Sequence, residues 1–161
     1  MIRVAQVGDL EQINEIYNQA VLSKFETADL ECCELKDRLK WFNEHGAQCP
    51  VFVAEVDEVI VGWASLSAYR KGRKALRFTA EISYYVHKVY KGEGYGDRLM
   101  TYSIEVARNL GFKTLIAIVL DRNIPSISLL RKHNFNEWGH LPAIADFEGD
   151  ECGHYYYGLR L

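Results

Sequence analysis

Three glycines at alternate positions, Gly92, Gly94 and Gly96, lie between two runs of different character. The run before them, Tyr84-Tyr85-Val86-His87-Lys88-Val89-Tyr90, is rich in β-branched and aromatic residues; the run after them starts at Asp97 and carries Leu99, Ile104 and Val106 as in a helix. A strand, a glycine turn and a helix start in that order leave backbone N–H groups unpartnered at the positive end of a helix dipole, which suits an anion. Glycine lets the backbone approach such an anion closely and take positive φ. Lys91 adds a point charge at the rim. The segment Lys91-Gly92-Glu93-Gly94-Tyr95-Gly96-Asp97 therefore reads as a pyrophosphate cradle. Its spacing is not the dinucleotide G-x-G-x-x-G, and no glycine-lysine-serine/threonine closes it as a P-loop. It fits a third pattern: a basic residue or glutamine, two residues, glycine, one residue, then glycine or alanine.

The second chemical candidate is Glu81. Arg77 to Val89 reads as one long strand, and Phe78-Thr79-Ala80-Glu81-Ile82-Ser83-Tyr84 puts the acid among residues that should be largely buried. Such a carboxyl either has a partner, here Arg77 or Arg73, or a raised pKa suited to proton transfer. The residues alone leave both open. The basic stretch Arg70-Lys71-Gly72-Arg73-Lys74 is a solvated turn or an electropositive lip for an acidic substrate group. Ser23-Lys24-Phe25-Glu26-Thr27 has no periodicity and is a loop and candidate substrate lip. Cys32, Cys33, Cys49 and Cys152 match no zinc spacing, and Cys152-Gly153-His154 lacks a second ligand pair, so no metal is expected.

The elements that must hold these residues follow in order. Ile2-Arg3-Val4-Ala5 alternates as a first strand; Asp9 then caps a helix with Leu10, Ile13, Ile16, Tyr17 and Ala20 on one face. A second helix is expected from about Glu34 to Glu44, burying Leu35, Leu39, Trp41 and Phe42, with Gly46 ending it. Val51–Val56 and Val59–Tyr69 form a hairpin about Asp57-Glu58, with Gly62 a candidate bulge. After the cradle helix, which stops at Gly111, Phe112–Leu120 is a buried strand. Asn123 and Pro125 open another helix. Phe135–Pro142 and Tyr155–Leu161 close the fold as strands, with Asp146–Asp150 a turn between them.

The chain of 161 residues fits one domain, 1–161, with no repeat or linker. A net charge of −3 with no basic stripe argues against nucleic acid, and the absence of a signal segment or a long apolar run argues for a cytoplasmic protein without membrane contact.

The third glycine pattern and the order of elements resemble the GCN5-related N-acetyltransferases (GNAT), over nearly the whole chain. Phe78-Thr79-Ala80-Glu81, together with Ile2-Arg3, Ala28-Asp29-Leu30, Trp41-Phe42, Val53-Ala54-Glu55, Glu137-Trp138-Gly139 and Pro142, is similar to the phosphinothricin N-acetyltransferase subfamily. The resemblance implies an α+β GNAT fold, a mixed central sheet of about six to seven strands flanked by about four helices. It implies acetyl-CoA as cosubstrate, its pyrophosphate on the amides from Gly92 to Asp97 and its pantetheine arm along Tyr84-Tyr85-Val86, where that strand splays from its neighbour. Asn123 would hold the arm from the other side. Glu81 would be the general base toward a small amino acid or analogue such as phosphinothricin or methionine sulfone, attacking directly in a ternary complex. Arg73 and Phe25 would hold the acceptor, and the protein would be a homodimer. Where relatives carry arginine or glutamine this chain has Lys91, which keeps charge but not the fork geometry. Leu130 stands where many relatives have a proton-donating tyrosine or histidine, and Asn134 where they have glycine. The alternatives are a protein or peptide N-acetyltransferase of the same fold and a non-catalytic CoA-binding sensor.

Overall fold

A computed structural model describes residues 1–161. Its seven strands are β1 (Ile2–Val4), β2 (Val51–Val56), β3 (Val59–Ala68), β4 (Thr79–Val86), β5 (Thr114–Leu120), β6 (Asn136–Phe147) and β7 (Asp150–Arg160). They join in one sheet in the order β1-β2-β3-β4-β5-β7-β6. Only β4 and β5 run parallel; every other neighbouring pair is antiparallel. The helices are α1 (Leu10–Ser23), α2 (Leu35–Asn43), α3 (Tyr95–Asn109) and α4 (Ile124–Lys132). A mixed sheet of seven strands with four helices is what the family resemblance implies.

Each face of the sheet carries a core. Leu66, Ala80, Ile82, Leu99, Met100, Leu115, Ile127, Leu130 and Tyr157 pack on the α3 and α4 side. Leu10, Ile13, Ile16, Val51, Val53, Ile60 and Trp63 pack on the α1 and α2 side. The β2–β3 hairpin turns on Asp57 (φ 48°) and Glu58 (φ 65°), left-handed residues whose twist suits a two-residue turn. The register shifts at Ala54/Glu55, with Ala54 opposite Gly62 and Glu55 opposite Ile60, so the bulge falls beside Gly62.

Several boundaries differ from the sequence expectation. Asp9 closes a 3₁₀ turn, Val7–Asp9, and stands at the N-cap position of α1, but its side chain makes no capping bond there; its carboxylate accepts the Gln6 N–H at 2.7 Å and pairs with Arg3. In α2 the inward stripe runs through Arg38, Trp41 and Phe42, and Leu35 and Leu39 are exposed. That helix ends at Asn43, and Gly46 instead bridges to Cys49. β4 is shorter than Arg77–Val89, because 3₁₀ turns at Lys74–Leu76 and Lys88–Tyr90 flank it. α3 starts two residues before Asp97, with Gly94 (φ 85°) as its N-cap. β6 and β7 are longer than expected: β6 continues through Pro142 and Ala143 (φ 50°) with a register shift between Leu141 and Ala145. An edge strand tolerates that irregularity, because its outer side owes no ladder bonds. No helix is long and apolar enough to cross a membrane.

Candidate active site

The parallel pairing of β4 with β5 lasts only from Thr79–Glu81 against Thr114–Ile116. Beyond it β5 keeps β7 as its partner, while β4 stays with β3. The two strands separate, and a cleft of about 660 Å³ opens between them, walled by α3 and α4. Tyr84, Tyr85, Val86, Lys91, Gly92, Gly94, Tyr95, Gly96, Asp97 and Asn123 all line it; Glu93 is exposed outside it. At its mouth none of the amides from Gly92 to Asp97 donates to a protein carbonyl or side chain; the first helical bond runs from Arg98 N–H to Gly94. Six unpaired N–H groups running from the turn into a helix start can receive an anion. Gly96 brings this end of α3 close to α4 and β4: a Cβ there would lie 3.2 Å from Leu129.

Polar side chains around the cleft are partly committed. Lys91 Nζ donates to both Glu26 carboxylate oxygens, at 2.6 and 2.8 Å. Lys132 and His133 each reach the Asp97 carboxylate at 2.8 Å, and Lys132 first among them holds that acid below the usual carboxylate range. Asn123 caps α4, its Oδ1 accepting the Ser126 N–H at 3.2 Å. The Tyr84 hydroxyl shares a short hydrogen bond with Ser126 Oγ, one helical turn before Leu130, and burial pushes its pKa up to about 12. Leu130 lines the cleft and offers no proton.

On the opposite face of β4 lies a second cavity of about 370 Å³. Alternation along the strand sends Glu81, Ser83 and Tyr85 toward it. Glu81 has no hydrogen-bond or ion-pair partner, and burial alone raises its pKa. Arg77, one of its two candidate partners, donates to the Lys74 carbonyl and stacks on Phe78. The other walls are Tyr17, Asp29, Cys33, Arg38, Trp41, Trp63, Ser65 and Ser67. Asn14 and Asn18 clamp the Cys33 backbone at 2.8 to 3.1 Å, and Tyr17 binds Thr27 and Asp29, which ties the loop after α1 over this cavity. Ser83 and Tyr85 line both cavities, so β4 is the partition between them.

The two expected acceptor residues, Phe25 and Arg73, line neither cavity. Phe25 packs edge-on against Phe147, with their centroids 4.8 Å apart, under the Arg122 guanidinium, and lines neither cavity. Arg73 is exposed at the start of a 3₁₀ turn and also lines neither. What sequence reading missed is Arg38 with its aromatic surround. The available signal was an arginine three and four residues before Trp41 and Phe42, on one helix stripe.

The profile of the acetyltransferase (GNAT) family matches residues 10–135. This chain belongs to that family. It is 38% identical over 149 residues to the Bacillus subtilis protein named "Putative phosphinothricin acetyltransferase YwnH", spanning 92% of this chain and 91% of that one. It is 32% identical over 144 residues to an L-methionine sulfoximine/L-methionine sulfone acetyltransferase of Salmonella typhimurium, spanning 89% and 84%. The crystal structure of a GNAT superfamily phosphinothricin acetyltransferase from Sinorhizobium meliloti in complex with acetyl-CoA superposes with a TM-score of 0.93 at 28% identity, covering 100% of this chain and 88% of that one. The GNAT chain described here is an N-acetyltransferase.

Proposed function

We propose that the protein transfers the acetyl group of acetyl-CoA to the amino group of a small amino acid or analogue, of the phosphinothricin or methionine sulfone type. The observation that carries this reading is the pair of cavities divided by β4: an apolar cleft ending in six free amides on one side, and a pocket around an unpaired carboxylate on the other. Acetyl-CoA in the cleft would supply an activated thioester, with its diphosphate on the amides from Gly92 to Asp97 and its arm beside Tyr84, Tyr85 and Val86. Ser83 and Tyr85, which line both cavities, mark where a carbonyl from one side would meet an amine from the other.

Glu81 takes one proton from the acceptor's ammonium, directly or through one water, and passes it to solvent. The freed lone pair forms the C–N bond in a ternary complex, and β4 amides facing the cleft bind the oxyanion. The C–S bond then breaks, its electron pair leaves on sulfur, and the thiolate takes the second nitrogen proton. Tyr84, held protonated, donates a hydrogen bond to the developing thiolate from the place that Leu130 cannot serve. A thiol pKa near ~8.5 makes this leaving group undemanding.

The test is thiol release from acetyl-CoA over a panel of L-methionine sulfone, L-methionine sulfoximine, phosphinothricin and short peptides. Turnover of the amino acids supports the reading. Turnover of the peptides alone favours the protein-acetylating alternative, and acetyl-CoA binding with no acceptor favours a sensor.

A further inference from the structure

Arg38 is a buried cation that the protein leaves without a counter-ion. Its side chain enters the second cavity from the middle of α2 and is 5% exposed. The guanidinium carbon lies 4.2 Å from the Tyr17 ring centroid, 4.7 Å from Trp41 and 5.7 Å from Trp63. It makes one hydrogen bond, from Nε to Asn14 Oδ1 at 3.2 Å. Its two terminal nitrogens have no acceptor, and neither Asp29 nor Glu81, which line the same cavity, forms an ion pair with it. Trp63, 1% exposed, lines that cavity too, and its buried Nε1–H has no partner.

Aromatic faces hold a guanidinium in place but do not neutralise it. A buried charge and a buried N–H without partners both cost free energy that a ligand can recover. The free end of Arg38 is a planar fork, the geometry that grips a carboxylate with two parallel bonds. Two carboxylates in the cavity lack a counter-ion: Asp29, which accepts the Tyr17 hydroxyl, and Glu81, which has no partner at all and suits an ammonium.

We propose that Arg38, with Trp63 Nε1–H beside it, is the receptor for the acceptor's carboxylate, so that the cavity takes a free amino acid as its zwitterion, carboxylate on Arg38 and ammonium at Glu81. The proposal rests on the acetyl-transfer reading for the role of Glu81, but the anion receptor can fail separately. It assigns to Arg38 the task that the family resemblance implies for Arg73. It also sets specificity: an amine or a peptide N-terminus, lacking a neighbouring carboxylate, leaves the guanidinium unpaired.

The experiment is calorimetry on the CoA-loaded protein with L-methionine sulfone, L-methionine sulfoximine and phosphinothricin, each against its α-carboxamide. The wild type should bind at least one acid about 30-fold more tightly than its amide. Arg38→Met should lose about that factor for the acid and leave the amide within about threefold, with Arg38→Lys between them. Trp63→Phe, which removes only the N–H donor, should weaken the acid several-fold. Melting temperature and CoA affinity report whether each variant is folded. If Arg38→Met does not fold, the wild-type ratio and Trp63→Phe decide. Equal binding of acids and amides, or binding of neither, overturns the proposal, as does a folded Arg38→Met that keeps wild-type acid affinity. Acid-selective binding without thiol release would sink the transfer reading and keep the receptor; thiol release without acid selectivity would do the reverse.

Discussion

Glu81 owes its character to what is missing around it. Burial disfavours its charged form, and no cation or donor compensates, so its pKa moves up toward the range in which a carboxylate takes a proton from an ammonium usefully. Glu81→Gln should lower kcat/KM about 10² to 10³-fold near neutral pH while leaving acetyl-CoA affinity unchanged. The acidic limb of the wild-type pH–rate profile should sit above the ordinary carboxylate range, and an inflection near that of free glutamate would remove Glu81 as the base. Tyr84→Phe keeps the ring and deletes the hydroxyl. It should reduce kcat about tenfold with little change in either KM, and cost about 1 kcal/mol of stability for the lost bond to Ser126. A kcat equal to wild type would show that the thiolate leaves unaided. At this scale the sequence was informative where an unusual residue broke a strong pattern, as Glu81 does in an apolar strand. It was uninformative at Arg38, because Leu35 and Leu39 sit i and i+4 on one stripe and Arg38 lies on the next. Choosing between those stripes needs the position of Trp63, which lies on another element.

Elements place these residues, and the ones that act locally were legible. The strand–glycine–helix cradle, the turns at Asp57-Glu58 and Asp146–Asp150 and the Asn123 cap each depend on a few consecutive residues. The parting of β4 from β5 does not. It arises because β5 is held by β7 from Thr114 to Leu120 while β4 follows β3, and no window of sequence contains all four strands. The length of β6 was hidden for a similar reason, since Pro142 reads as a stop unless the strand is known to lie at an edge. Gly94 ties local chemistry to the site. At φ 85° it caps α3 and turns the chain so that the free amides face the cleft, and a Cβ there would meet nothing within 4 Å. Gly94→Ala therefore incurs torsional strain alone, about 1 kcal/mol. We expect a small fall in stability with a larger effect on function, a rise of about tenfold in the acetyl-CoA Kd as α3 tilts its amides away. Calorimetry checks this, and an unchanged Kd would dissociate the cradle from the helix cap.

For the whole molecule, a buried and a half-buried carboxyl, Asp9 and Glu81, set opposing demands on pH. Arg3 joins three parts of the fold: from β1 it reaches Asp9 at 2.7 and 2.9 Å and Glu55 on β2 at 2.6 Å. The hydrogen bonds from Arg3 hold the Asp9 carboxyl below its usual pKa despite burial. A lowered native pKa contributes stability that is present above the unfolded value, about 3.9, and is lost as pH falls through the native one. Glu81 has the opposite sign. Its raised native pKa means that the fold prefers it protonated, so its contribution is present below the unfolded value, about 4.3, and is lost as pH rises through the native one. Descending from neutral pH, stability should first rise as Glu81 protonates and then fall as Asp9 does. Asp37 and Asp150 are fully exposed in their ion pairs and are screened by solvent, so they should not reshape this curve. Urea midpoints from pH 3 to 8 check the prediction. Glu81→Gln should remove the rise and be at least as stable as wild type at pH 7. Asp9→Asn should flatten the acid fall and lose about 2 kcal/mol at pH 7, because Arg3 is left half-paired. A wild-type curve that declines steadily from pH 7, or a Glu81→Gln protein less stable than wild type there, would mean that the ionised carboxylate has a partner in solution, and its role as a free base would fall with it.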